Sequence, residues 1–304
     1  IMHNAQYDAG WIRRMGFKIN GRIVDTMVIA SLLDENRFSY SLNALSYDHL
    51  NKTKSEKSLV EAARDFGVDP KAELWKLPAM HVGPYAETDA VLTLELWTYF
   101  KTLLGKEDLW PIANLELELL PCLIDMTWTG VRVDMDAVEK TRVALIKEEK
   151  EVLSEIKRMT NMEVEIWAAQ SLSKAFDKMS IAYPKTEKGQ PSFTKGFLGD
   201  HEDKLPRLIV KARNLNKTHG TFINTIMRHT GRDGRIHSHI NQIRSDDGGT
   251  VSGRISMSNP NLQQIPARDP DTGPLIRSLF IPEEGCKWGC FDYSQQEPRL
   301  VAHY

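Results

Sequence analysis

Cysteine is scarce in this sequence: Cys122, Cys286 and Cys290 are an odd three in 304 residues, with no Cys-x-x-Cys spacing. That argues against a disulfide framework or a thiolate zinc site and predicts buried free thiols. No apolar run approaches the roughly 20 residues that span a bilayer, which argues against a membrane class. The opening IMHNAQYDAG lacks a basic start followed by an apolar core, so an intracellular, cytoplasmic setting is the default. Internal repeats and low-complexity tracts are absent, and a net charge of −2 favours no partner. What remains is a globular balance, 41% hydrophobic and 26% charged, in a chain long enough for two domains.

The charge is unevenly spread. Between Lys204 and Arg244 stand nine Lys/Arg against one acid, Asp233. Such an island suits a polyanion or, read plainly, a solvated helix face. Apolar periodicity predicts helices over PYAETDAVLTLELWTYFKTLL (84–104), NLELELLPCLIDMTW (114–128) and DMDAVEKTRVALIKEEKEVLSEIKRMT (134–160). GKEDLW (105–110) reads as a linker, Gly130 as a helix C-cap, and YPKTEKGQPSFTKG (183–196) as an exposed loop. The stretch 205–229 puts Leu208, Ala212, Leu215, Phe222 and Ile223 on one helical face and Arg207, Lys211, Arg213 and Lys217 across the other. Asn and Gly near 214–220 predict a bend.

From GRIHSHINQIR (234–244) the pattern becomes strand-like, Ile236, Ser238 and Ile240 alternating with polar residues before a Gly-rich turn at 248–249. KWGCFD (287–292) also reads as a strand. The expected fold class is therefore mixed α/β and α: an α/β start, a helical middle and the beginning of a sheet-based piece.

Asp292 ends that last apolar run just before a helix, where α/β folds hold ligands and metals. Hard divalent ions seek such oxygen ligands. Ser294 and Glu297 equally fit an S-x-x-E capping box, which Pro298 complicates, so metal ligand and capping structure both stay open. SGRISMSNPNLQQIPAR (252–268) packs Arg254, Asn259, Asn261, Gln263, Gln264 and Arg268 between prolines, donors suited to phosphate, sugar and minor-groove acceptors.

Together, GRISMSNPNLQQIP and FDYSQQEPRLVAHY resemble the palm signatures of family A DNA polymerases. The resemblance implies that Asp292 and the Tyr293 carbonyl are metal ligands and that Gln295 lies at the incoming nucleotide. It implies that Glu297 excludes a ribose 2′-hydroxyl. Arg254, Asn261 and Gln263 would follow the primer–template minor groove, with Arg268 near the nucleotide. ARNLNKTHGTFI resembles the thumb segment whose Arg213 and Lys217 hold DNA phosphates, and PKTEKGQPS the thumb-tip loop. The palm sequence departs from the family form in QQEP, where QIEL is usual.

The first region resembles the family's 3′–5′ exonuclease domain. HNAQYDAGWIRRMG places Asn4 and Asp8 at the second exonuclease motif, and YAETDAVLTLEL places Tyr85 and Asp89 at the third. Residues i and i+4 share a helix face, so Tyr85 would orient the attacking water while Asp8 and Asp89 hold metal. Asp25 reads as a capping or buried hydrogen-bonded residue. The resemblance implies a partial ribonuclease H-like exonuclease domain (1–104), connecting helices and thumb (105–225) and the start of the palm sheet (226–304). It implies two Mg²⁺ per active site, primer–template DNA and deoxynucleoside triphosphates as partners, a processivity factor as a candidate partner, and no membrane.

The first exonuclease motif, Asp-x-Glu, and the second palm aspartate are not in this sequence. The chain is therefore expected to be an internal fragment, inactive alone. Two rival readings are a free-standing DEDD-type 3′–5′ exonuclease with a nucleic-acid-binding tail, and a non-catalytic DNA-binding protein.

Overall fold

The structure, a computed structural model, describes residues 1–54, 57–244, 249–267 and 269–304. Helices α1 (Ala5–Arg14), α2 (Thr26–Leu33), α3 (Leu42–Leu50), α4 (Lys57–Asp65), α5 (Ala79–Lys106) and α6 (Trp110–Thr129) come first. Strand β1 (Val131–Arg132) leads into α7 (Met135–Thr160), α8 (Ala169–Lys178), α9 (Lys195–Asp200), α10 (Lys204–Lys217) and α11 (Asn224–His229). The chain then forms β2 (Arg235–Ile236), β3 (His239–Asn241), β4 (Ser256–Ser258), α12 (Thr272–Arg277) and α13 (Gln296–His303). The architecture is mixed α/β and helix-rich. None of the described helices is long and apolar enough to cross a membrane.

Packing divides the chain into two units: residues 1–130 with 237–264, and 131–236 with 265–304. In the first, α2, α3, α5 and α6 bury Ile29, Leu45, Leu96, Phe100, Leu104 and Leu117 in one cluster. Each such side chain contributes about 1.5–3 kcal/mol of transfer free energy. Ala5 and Ala9 of α1 join Ile23, Leu120 and Ile124 in a second cluster. Small residues let α1 approach α6 closely: a Cβ on Gly10 would lie 1.9 Å from Trp128 Nε1.

A parallel bridge ties Met2 to Asp25, with Met2 N donating to Val24 O at 2.8 Å and Thr26 N to Met2 O at 3.0 Å. The antiparallel β3–β4 ladder pairs His239 with Ser258, Ile240 with Met257 and Asn241 with Ser256. Gly248 lies outside the described residues. Gly249 has φ of 100°, and a Cβ there would stand 2.0 Å from Ile243 O, so this turn requires glycine.

In the second unit α7 starts on Asp134, whose carboxylate accepts from Ala137 N at 2.9 Å. Its Val138, Leu145, Val152 and Ile156 are buried, the expected stripe, and α7 packs against α10, which buries Leu205, Ile209, Ala212 and Leu215. The helical run from 204 does not break at the expected bend. It widens to a π-helix over 218–223 and continues as α11. β1 pairs antiparallel with β2, Val131 facing Ile236 and Arg132 facing Arg235.

Several expectations need correction. Residues 287–292 form no strand: a strand needs a neighbour to bond, no ladder among the described residues includes them, and Phe291 is 98% exposed. All three cysteines are free thiols, as expected, but exposed rather than buried. Cys122 points away from the α6 stripe of Leu120, Leu123 and Ile124, and the other two lie in the exposed 286–293 stretch. The expected linker shrinks to residues 107–109, because α5 runs on to Lys106 and α6 begins at Trp110. Gly130 does cap α6 with positive φ, but its φ, ψ of 65°, −176° lies in a region kept for glycine rather than in αL.

Candidate functional site

Asp25 organises the start of the chain. Its carboxylate accepts from Asn4 N at 3.0 Å and Ala5 N at 2.7 Å, which are amides at the α1 start, and from Met27 N at 2.8 Å as the N-cap of α2. Burial pushes this carboxyl up to about 6, against the lowering effect of those backbone donors. This geometry matches the capping reading of Asp25. Asn4 takes a left-handed conformation, φ 62°, as the N-cap of α1. Asp8 follows one turn later on the exposed side of α1, and partial desolvation raises its carboxyl above the ordinary range.

Tyr85 and Asp89 stand one turn apart on α5, both half-buried. Between them sits a residue that sequence reasoning passed over. Lys54, on the loop between α3 and α4, places Nζ 2.9 Å from each Asp89 carboxylate oxygen and 3.3 Å from the Tyr85 hydroxyl. The ammonium also lies 4.9 Å from the Tyr85 ring centroid. Burial opposes its charge, but the hydrogen bonds to Asp89 and Tyr85 outweigh it, and the Lys54 pKa is raised. Nothing in the string NKTK distinguishes Lys54 from Lys52, which makes an ordinary surface pair with Glu95 at 2.7 Å.

The residues present do not fit a metal cage. No group of three or more His, Cys, Asp or Glu among the described residues could hold an ion, and Asp89 is already ion-paired to a lysine, which hydrogen-bonds its Oδ2 and leaves buried Oδ1 without a hydrogen-bond partner. No reaction step is therefore routed through a metal in this chain.

Asp292, Tyr293, Gln295 and Glu297 are all exposed and are brought together by chain proximity. Helix α13 starts after Gln295, φ 52°, with no side-chain cap, so the Ser294 capping box does not form. Pro298 is the third residue of α13. Its missing N–H falls in the first turn, where amides have no intrahelical partner.

The basic island is less available than its count suggests. Lys204 pairs with Glu155 at 2.5 Å and Lys211 with Glu148 at 2.6 Å, both across to α7. Arg235 pairs with Glu283. Half-buried Arg213 spends its guanidinium inward, donating Nε to Ile166 O at 2.7 Å and an Nη to Phe193 O at 3.1 Å, over the Trp167 ring. Lys217 is exposed. Behind it, Glu149 accepts from Asn216 Nδ2 at 2.9 Å and pairs with His219 Nε2 at 2.6 Å.

In the other unit, Gln263 Nε2 donates to Ile255 O at 3.0 Å and its N–H to Asn261 Oδ1 at 3.0 Å, folding this polar loop on itself. Arg254 is exposed nearby, and Arg268 lies outside the described residues.

With this geometry in hand, the comparisons with known proteins are decisive. The model of DNA polymerase family A matches residues 135–304, and that of a 3′–5′ exonuclease matches residues 1–105. The chain belongs to DNA polymerase family A. This family A chain is 36% identical over 290 residues to a DNA-directed DNA polymerase of Pseudomonas phage M6, covering 92% of the chain and 43% of the relative. It is 31% identical to DNA polymerase DpoZ of Acinetobacter phage SH-Ab 15497, covering 100% and 53%. DNA polymerase I of Chloroflexus aurantiacus is 29% identical, with 99% and 32% covered.

The chain thus spans about half the length of these phage relatives or less. Among solved structures, the POL domain of Pol1 from M. smegmatis in complex with DNA primer-template and dNTP aligns with TM-score 0.68 at 20% identity. The alignment covers 93% of this chain and 45% of that one, a likeness of fold.

Proposed function

We propose that the protein carries out template-directed DNA synthesis by nucleotidyl transfer and proofreads with an associated 3′–5′ exonuclease. The observation that carries this is the tandem match of the two family models, exonuclease then polymerase, along one chain. Its domains would be the exonuclease (1–104), connecting helices and thumb (105–225) and the start of the palm (226–304). Primer–template DNA and deoxynucleoside triphosphates are the proposed partners, since the solved POL domain of the same fold is in complex with a DNA primer-template and dNTP. A processivity factor is a further candidate, and the setting is the interior of a bacterial or phage-infected cell.

In the whole enzyme two Mg²⁺ ions would serve each site. Asp292 and the Tyr293 carbonyl are assigned to the polymerase metals, Gln295, Glu297 and Arg268 to the nucleotide, with Glu297 screening its sugar. Asn4, Asp8, Tyr85 and Asp89 are assigned to the exonuclease site. Arg254, Asn261, Gln263 and Lys217 would contact DNA. Arg213 would act there chiefly by pinning the Ile166 and Phe193 carbonyls. The 304 residues alone are expected to be inactive in both reactions, because their described carboxylates form no metal cage.

The test is separation of function in the full-length enzyme. Asp292→Ala is expected to abolish primer extension and leave 3′–5′ digestion of single strands intact, and Asp89→Ala to do the reverse. Joint loss of both activities from either change would overturn the assignment.

A further inference from the structure

Helix α1 turns one apolar side outward. Its Ala5, Ala9 and Gly10 are buried, whereas Trp11 is 49% exposed and Met15, one turn on, 63%. Trp128 of α6, 36% exposed, meets Trp11 edge to face with ring centroids 5.3 Å apart. The seam beneath the two indoles is fixed. Trp128 lies over Gly10, and Arg13 pairs with Asp125 of α6 at 2.5 Å. Two helices that pack together therefore carry two rings that stay partly open to solvent.

The charge around these rings is of one sign. Residues 9–24 hold Arg13, Arg14, Lys18 and Arg22 and no acid. Arg13 and Arg22 are turned to α6, Arg22 donating Nη2 to Asn114 Oδ1 at 2.8 Å, whereas Arg14 and Lys18 are exposed. Arg14 follows Trp11 by three residues and shares its side of the helix. Open aromatic rings beside cations are the means by which proteins hold a single nucleic-acid strand: bases stack on the rings whatever their sequence, and phosphates meet the cations. A duplex keeps its base faces stacked inside, and an acidic protein segment answers the cations but not the indoles.

We propose that this α1–α6 face docks single-stranded DNA, with bases on Trp11 and Trp128 and phosphates on Arg14 and Lys18. It goes beyond the two proposed activities: none of these four residues is assigned to either reaction, and docking needs neither metal nor chemistry.

The test is fluorescence anisotropy in EDTA, with the 304-residue chain titrated into a labelled oligo(dT). Trp11→Ala is expected to weaken binding about tenfold, the loss of one stacked base, and Trp11→Phe to keep most of the affinity. Truncating an indole disturbs the seam, so exposed charges supply an independent arm. Arg14→Gln with Lys18→Gln should leave thermal unfolding unchanged and flatten the slope of log affinity against log salt by about 1.4, the share of two phosphates. Wild-type affinity in Trp11→Ala, or an unchanged slope in the double variant, would overturn the proposal.

Location is read separately. Strands carrying 5-bromodeoxyuridine should photo-crosslink to peptides bearing Trp11 or Trp128, and crosslinks confined to residues 205–229 would place the strand elsewhere. Unlabelled duplex and polyglutamate should displace oligo(dT) poorly. Displacement by duplex as effective as by oligo(dT) would mean backbone binding without stacking, and by polyglutamate a site for an acidic protein; either result refutes single-strand docking. So would a dimer in sedimentation that Trp11→Ala disperses, because the face would then join two copies of the chain.

Discussion

A carboxylate with three backbone N–H groups aimed at it would ordinarily titrate low; at Asp25 burial reverses this, to about 6. The folded state then holds the proton more tightly than the unfolded chain, whose value is 3.8. Stability therefore falls as pH rises from about 4 to 6, by up to about 3 kcal/mol. His3, two positions before Ala5, works the other way. Burial lowers it to about 4, so the unfolded chain binds the proton more tightly and stability rises over nearly the same window.

The two slopes offset, and urea unfolding of the wild type is expected to vary little between pH 4 and 6. Asp25→Asn removes one slope and leaves the other, so its stability should climb across that window. It should also be weaker by about 1–3 kcal/mol at pH 4, because an amide NH₂ replaces one acceptor. A flat profile in Asp25→Asn would refute the compensation. The capping role of Asp25 is legible in the sequence, as an acid immediately before the apolar helix TMVIASLL. The partner of Asp89 is not, because Lys54 and Lys52 look alike until the chain is folded.

At the level of elements, α1 and α6 meet through an absent side chain. Trp128 lies against Gly10 and makes an edge contact with Trp11, ring centroids 5.3 Å apart. Gly10→Ala would relieve the helical entropy penalty of glycine by about 1 kcal/mol. It would also drive a methyl into the indole, which costs about 1–3 kcal/mol in a packed contact. We expect net destabilisation by thermal unfolding, and recovery in Gly10→Ala/Trp128→Ala relative to Trp128→Ala alone. Simple stabilisation by Gly10→Ala would show that the indole moves aside freely.

Helices α5, α6 and α7 are legible because their apolar spacing is a local property of the chain. The 287–292 segment shows the opposite case. Its composition is that of a strand, but a strand is completed by a neighbour, which no local pattern supplies. The inward use of Arg213 is hidden for the same reason: an amphipathic wheel shows which way a side chain starts, not the carbonyls of Ile166 and Phe193 that capture it.

At the level of the whole molecule, neither packing unit is a continuous stretch of chain. The strand-like alternation at 234–244 falls on Ile236, Ser238 and Ile240, which the fold buries. Yet β2 completes a ladder with β1 in one unit, while β3 pairs with β4 in the other, a division that periodicity could not show. The first unit therefore depends on residues far along the sequence. Gln242 Nε2 donates to Glu116 O at 2.8 Å, His237 Nδ1 lies 2.9 Å from Thr127 O, and Ile240 is buried in the same unit. Two hydrogen bonds and one buried isoleucine amount to about 3–5 kcal/mol, a large share of the stability of an ordinary domain. A polypeptide of residues 1–130 alone is thus expected to show weaker amide exchange protection in α6 than the full chain does. Adding a peptide of residues 237–264 in trans should restore much of that protection and raise the melting temperature. Full protection of α6 in the 1–130 polypeptide, with no response to the peptide, would mean that the helices of this unit hold together without the later segment.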